Sequence, residues 1–146
     1  MKSGKQKNSH GKKRNLYEED ELENEKELNK KLLKLVNETE NFNEIMTLTH
    51  NKDDVIRLKA LKRLCPCKVG NEIKIFWDRI FELVEDPSPE IRMQVLHNMC
   101  DGSPDSMEDR VVEALEFFNR DKDGEIRRKA HKVIASYSRT GKWNIL

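Results

Sequence analysis

A chain of 146 residues suits one domain and a tail, and a composition of 38% charged against 36% hydrophobic residues implies a modest core under a large wetted surface. The net charge of +1 conceals blocks of opposite sign: residues 1–15 carry Lys2, Lys5, Lys7, Lys12, Lys13 and Arg14 with no acid, and residues 18–27 carry seven acids against Lys26. Three cysteines, no apolar run of membrane-spanning length and no apolar segment behind the N-terminal lysines argue against a disulfide-stapled secreted domain, a membrane partner and a secretory leader, so the expectation is an intracellular protein, cytoplasmic or nuclear.

Residues 1–15 lack periodicity and read as a disordered basic tail. Residues 16–38 change to a helical signal, with Leu28, Leu32 and Leu35 at i, i+4 and i+7, Leu22 further upstream, and Glu18, Glu19, Asp20 and Glu21 where a helix N-terminus favours anions. This is a lead-in or capping helix. Residues 39–138 then repeat with a period of 35, in three units of about 39–69, 70–104 and 105–138. In the first helix of each unit Phe42, Trp77 and Val112 align, as do Ile45, Ile80 and Leu115, and then Leu48, Leu83 and Phe118. Ser103-Pro104 marks the start of that helix in the third unit. Short turns follow at Asn51-Lys52, Asp86-Pro87 and Asp121-Lys122.

The second helices carry Ile56, Ile91 and Ile126 in one column, Ala60, Val95 and Ala130 in the next, and Leu64, Met99 and Ile134 in a third. Asp53, Ser88 and Asp123 precede them as N-caps, whose short side-chain oxygens suit otherwise unpaired backbone N–H groups. Pro89 stands at a first helical position, where its missing N–H costs nothing. Residues 139–146 form a C-terminal tail in which Trp143, Ile145 and Leu146 either cover the open end of the last unit or dock a partner.

The segment DPSPEIRMQVLHNM at 86–99, with DKDGEIRRKAHKVI at 121–134 and NKDDVIRLKALKRL at 51–64, resembles the HEAT-repeat family, whose turn into the second helix reads Asp-Pro-x-x-x-Val-Arg. The resemblance implies an all-α fold: a short right-handed α-α superhelix, or solenoid, of helical hairpins behind an N-terminal lead-in helix, with the second helices lining an armadillo-like concave face. It further implies a structural ladder of Arg57, Arg92 and Arg127 with Asp86 and Asp121, in which Asn51 takes the place of the first acid. Those arginines are therefore assigned to structure before they are assigned to a ligand. Members of the family mostly scaffold other proteins, some grip DNA or RNA with a basic concave face, and one branch repairs alkylated bases.

With the core and the ladder assigned, the second helices retain Lys59, Lys62 and Arg63, then Gln94, His97 and Asn98, then Arg128, Lys129, His131 and Lys132 as concave-face binding candidates. They form a basic-to-polar stripe suited to an acidic or mixed protein surface; the alternative is a non-enzymatic DNA- or RNA-binding accessory protein that uses this stripe and the basic N-terminal tail, and a structural subunit of a larger complex is the third reading. Cys65-Pro66-Cys67 has too short a gap for the usual zinc pair, and Cys65 and Cys100 share a repeat column, so no metal or cofactor is expected; a set drawn from Cys65, Cys67, Cys100 and His97 or His131 is the alternative. No phosphate-binding glycine loop, HExxH or G-x-S-x-G is present, and neither an enzyme nor a small-molecule substrate is expected. The one enzymatic alternative is a HEAT-fold DNA glycosylase, against which Trp77 falls in a core column and Asp53 in a cap column.

Overall fold

A computed structural model describes residues 15–66 and 73–146, so residues 1–14 of the basic tail and Cys67 lie outside the described residues. Seven α-helices occupy the described chain: α1 (Leu16–Glu38), α2 (Phe42–Leu48), α3 (Asp54–Arg63), α4 (Lys74–Glu82), α5 (Pro89–Gly102), α6 (Glu108–Phe118) and α7 (Gly124–Thr140). Short 3-10 turns at Leu83–Glu85 and Asp105–Met107 complete it, and there is no strand among the described residues.

Side-chain caps open three of the seven described helices. Asp53 accepts from the amides of Val55 and Ile56, and Asp123 from those of Glu125 and Ile126, each satisfying two donors that the first turn leaves unpaired. Asn41 does the same for α2. Ser88 does not cap α5: its hydroxyl donates to the Glu90 carboxylate at 2.9 Å, and Pro89 opens the helix with one fewer N–H to satisfy. Nor does Ser103-Pro104 begin the next helix. Ser103 closes α5, its buried hydroxyl accepts the Trp143 indole N–H at 2.7 Å, and α6 starts only at Glu108. At the far end Gly141 takes φ +71°, a left-handed conformation favoured by glycine, and its N–H returns to the Tyr137 carbonyl.

Helix α3 packs between α1 and α5, and α5 between α3 and α7, while α2, α4 and α6 back onto α3, α5 and α7 respectively. The core lies between these rows. Ile56, Ala60 and Leu64, Ile91, Val95 and Met99, and Ile126 and Ala130 are buried, with Ile134 partly so. From the other row come Ile45 and Leu48, Trp77, Ile80 and Leu83, and Leu115 and Phe118. Trp77 meets Phe76 edge to face with ring centroids 4.7 Å apart.

Helix α1 presents a different face from the one its leucines suggest. Val36 is fully buried and Leu32 and Leu33 partly so, whereas Leu22, Leu28 and Leu35 are exposed. Polar contacts to the α3 region set this rotation. Asn29 donates to Asp53 at 3.1 Å, Glu25 pairs with Lys52, and Arg63 reaches the carbonyls at the C-terminal end of α1, so 25, 29, 32, 33 and 36 share one side.

The C-terminal tail folds back. Trp143 is 5% exposed and its ring lies 5.9 Å from Tyr137; Asn144 donates to the Ser103 carbonyl, and the Leu146 amide to the Cys100 carbonyl. Ile145 remains exposed.

Candidate functional site

The expected ladder residues form two rungs of identical construction. Arg57 directs Nε and Nη2 at the two carboxylate oxygens of Asp86, both at 3.1 Å, and Arg92 does the same to Asp121 at 2.8 and 2.9 Å. Each arginine turns Nη1 to the turn before its own helix: Arg57 to the carbonyls of Asn51 and Lys52, Arg92 to those of Asp86 and Pro87. The fork of a guanidinium matches this use, since one face fits a carboxylate while the remaining donors take carbonyls.

Each of these two arginines reaches an acid 29 residues further on, and Asn51 and Arg127 are placed differently. Among the described residues no arginine pairs with Asn51; its side chain accepts from the Asp53 amide, as Asp86 and Asp121 accept from those of Ser88 and Asp123. Arg127 donates to the Asp121 carbonyl and stays exposed. Burial opposes the Asp121 charge, but the Arg92 fork and the Asp123 amide outweigh it and hold the carboxyl below its usual range; the same bond to Asp121 raises Arg92.

The binding candidates separate into two groups. Arg63 is withdrawn from any partner: it donates to the carbonyls of Val36, Asn37 and Thr39, which α1 leaves unpaired at its end, and to Glu40. Asn98 is fully buried, with its amide on the Leu61 carbonyl at 3.2 Å, and Gln94 is tied to Asn98 at 2.7 Å. The Asn98 bond joins α5 to α3, and the Gln94 bond lies within α5. Lys59, Lys62, Arg128, Lys129, His131 and Lys132 are exposed.

A groove of about 320 Å³ crosses α3, α5 and the start of α7. Leu58, Pro89, Met93 and Ile126 give it an apolar lining, and Lys62, Gln94, Glu90, Asp123 and Glu125 supply the polar groups. One candidate cation therefore shares its groove with three acids. A larger groove of about 630 Å³ lies over the Arg92–Asp121 rung, beside the exposed Phe117 with Glu113, Glu116 and Arg120. Phe117 falls outside the repeating core columns, which is why the periodicity did not single it out.

His97 has a different setting. Its ring, the Cys65 thiol and the Asp101 carboxylate bring one donor atom each within 4.8 Å of one another, and all three residues are half-buried. Cys100 stands apart, fully buried, with burial pushing its thiol up to about 12; His131 is exposed on α7. The repeat column shared by Cys65 and Cys100 breaks because α3 ends at Arg63, whereas α5 continues to Gly102.

The two residues weighed for base repair have structural surroundings. Trp77 is fully buried, and Asp53 uses one carboxylate oxygen on its cap and the other on Asn29. Two further contacts had no periodic signature. Arg79 caps the end of α2 through Thr49, and Arg110 joins α6 to α4 by pairing with Asp78 at 2.7 Å and lying 4.2 Å above the Phe81 ring. Hydrogen bonds from Lys74, then Arg110, hold the Asp78 carboxyl below its usual range. No described helix is long and apolar enough to cross a membrane.

Comparison with family models, with curated proteins and with solved structures found no match for this chain.

Proposed function

We propose that this chain is a short HEAT-like solenoid that works as a non-enzymatic adaptor. It holds a segment of another protein in the groove across α3, α5 and α7. The repeat reading is supported by the two rungs, which use the same atoms and join residues 29 apart in both cases. The adaptor reading rests on one observation: the groove combines an apolar lining with charges of both signs. A segment that places an aliphatic side chain against Leu58 and Met93, with a basic group toward Glu90 or Asp123 and an acid toward Lys62, would satisfy all of these.

The exposed run of Arg127, Arg128, Lys129 and Lys132 on α7 supports a second reading, in which the chain assists a nucleic-acid assembly through phosphate contacts. The acids beside Lys62 weigh against extending such contacts along α3 and α5.

Both readings are tested on the full chain. Short peptides are selected from a displayed library, and the amide shifts they cause are mapped; duplex DNA and structured RNA are titrated in parallel across a salt series. The adaptor reading expects shifts centred on Leu58, Met93 and Gln94, and a loss of affinity of about tenfold or more in Met93→Glu and Lys62→Glu. Peptides that map elsewhere, or salt-dependent nucleic-acid binding without any selected peptide, would overturn it.

A further inference from the structure

We propose that Cys65, His97 and Asp101 form a binding site for a divalent cation of the zinc type. The fold brings them together by two routes. His97 and Asp101 stand at i and i+4 on α5 and so project from one side of the helix, a spacing that lets two side chains share an ion. Cys65 follows the end of α3, and the next residue packs on the last turn of α5: a Cβ built on Gly102 would lie 2.9 Å from the Pro66 Cβ, closer than a side chain at 102 would allow.

The separations suit a small tetrahedral ion. Zinc bonds of roughly 2.0–2.3 Å to nitrogen, oxygen and sulfur place neighbouring ligand atoms about 3.3–3.6 Å apart. The Cys65 Sγ and an Asp101 carboxylate oxygen are already at 3.3 Å, and the widest separation in the trio is within 4.8 Å. Side-chain rotations that move atoms by about 1 Å would close the set, with no helix displaced.

The donor types select the ion. A thiolate and an imidazole disfavour magnesium and calcium, which require oxygen ligands, and favour zinc and its neighbours among the transition metals. A thiolate and a carboxylate also carry two negative charges, which a divalent ion neutralises. In the apo protein the Cys65 thiol donates its proton toward Asp101. Metal binding replaces that proton: the S–H bond breaks, the sulfur pair forms the metal bond, and the proton leaves to solvent. Three protein ligands leave a fourth position for water or another incoming group.

Spectroscopic titration of the full chain with cobalt provides the test, after chelator treatment and desalting into a phosphine reductant. The expected result is tetrahedral visible bands with a thiolate-to-cobalt charge-transfer band, saturating at one cobalt per chain. Zinc should bleach them, and excess magnesium or calcium should leave them unchanged. Zinc at a hundred times its dissociation constant should raise Tm by roughly 10 °C. Cys65→Ser should lose the charge-transfer band, and Asp101→Asn should weaken zinc by more than the ~10–100-fold that losing an outer-shell partner costs. Each variant is checked by circular dichroism, with His97→Gln as the second ligand variant should one of them unfold. Folded wild-type protein that takes up no cobalt, or a charge-transfer band that persists in folded Cys65→Ser, overturns the site.

Discussion

Replacing Arg92 with alanine is the most direct test of how the units are joined. The Arg92 side chain is 5% exposed and that of its partner Asp121 is 3% exposed. Alanine removes four hydrogen bonds, leaves the carbonyls of Asp86 and Pro87 without this donor, and leaves Asp121 as a buried carboxylate supported by one backbone amide. Removing one member of a buried pair costs about 3–5 kcal/mol, because the surviving charge loses its compensation. A domain holds only about 5–15 kcal/mol in total, so Tm should fall by roughly 10 °C or more. Urea unfolding followed by far-UV circular dichroism measures the loss. Arg127→Ala is the internal control, since Arg127 is exposed and bonds the Asp121 carbonyl and no carboxylate among the described residues; it should cost less than about 1 kcal/mol. Arg92→Lys keeps the charge but lacks the fork, and should fall between the two. Arg92→Met combined with Asp121→Leu should cost less than Arg92→Ala, because no charge is left stranded. The pH dependence has a definite sign. Asp121 titrates below its ordinary 3.8 in the folded chain, so its contribution is present above that value and is lost as pH falls through the depressed folded value. Equal costs for Arg92→Ala and Arg127→Ala would refute the reasoning, and would return the periodic arginines to the list of ligand contacts.

The C-terminal tail and the buried thiol give two further predictions. Trp143→Ala should destabilise the chain by about 3 kcal/mol in the same urea assay, because it empties a site that is 5% exposed and leaves the Ser103 hydroxyl without its donor; a cost below 1 kcal/mol would show that the tail is not part of the fold. Cys100 ionises near 9.0 when unfolded but is held up to about 12 in the folded chain by burial, so the unfolded state sheds this proton first. Stability should therefore decline between pH 9 and 12, by at most about 1 kcal/mol per pH unit, beyond any slope that remains in Cys100→Ala; equal slopes for the two proteins would contradict it.

The period of 35 made the interior legible because burial repeats with it. A column such as Ile56, Ile91 and Ile126 needs only the same place in the same hairpin, and all three are fully buried. The arginine–acid pairs were expected from the resemblance of the turn segments and not from burial, and the step from Arg57 to Asp86 and from Arg92 to Asp121 appears only when the helices are placed side by side. Contacts made once were not legible. Ser88 has the right chemistry for a cap, but Glu90 offers its hydroxyl a charged acceptor two residues away. Ser103 is taken by a tryptophan 40 residues further on. Leu28 and Leu35 have helical spacing, yet the rotation of α1 is set by Asn29, Glu25 and Arg63, which periodicity treats as surface. The cluster of Cys65, His97 and Asp101 was hidden by the period itself. Cys65 aligns with Cys100 in sequence, while in space it meets the residues on either side of that cysteine on α5.

The contacts that join the helices also decide which charges remain for a partner. Arg57, Arg63, Arg79 and Arg92 all spend their donors on carbonyls or acids of neighbouring elements, so four prominent cations contribute little outward field. What remains on α3 is Lys59 and Lys62, and Lys62 shares its groove with Glu90, Asp123 and Glu125. A phosphate seated there would face three carboxylates within one small groove. Charges closer together than the screening length, about 8 Å at physiological ionic strength, are poorly shielded from one another. A polyanion would meet repulsion at the position where a basic-stripe reading needs its strongest attraction. A peptide carrying both signs beside an aliphatic anchor meets none, and it can also cover Leu58 and Met93, which a phosphate backbone leaves wet. The exposed cations of α7 stand at the end of the row, where a polyanion would gain from one helix and lose at the next. Among the described residues, that balance fits the proposed mixed-charge peptide in the groove better than a polyanion.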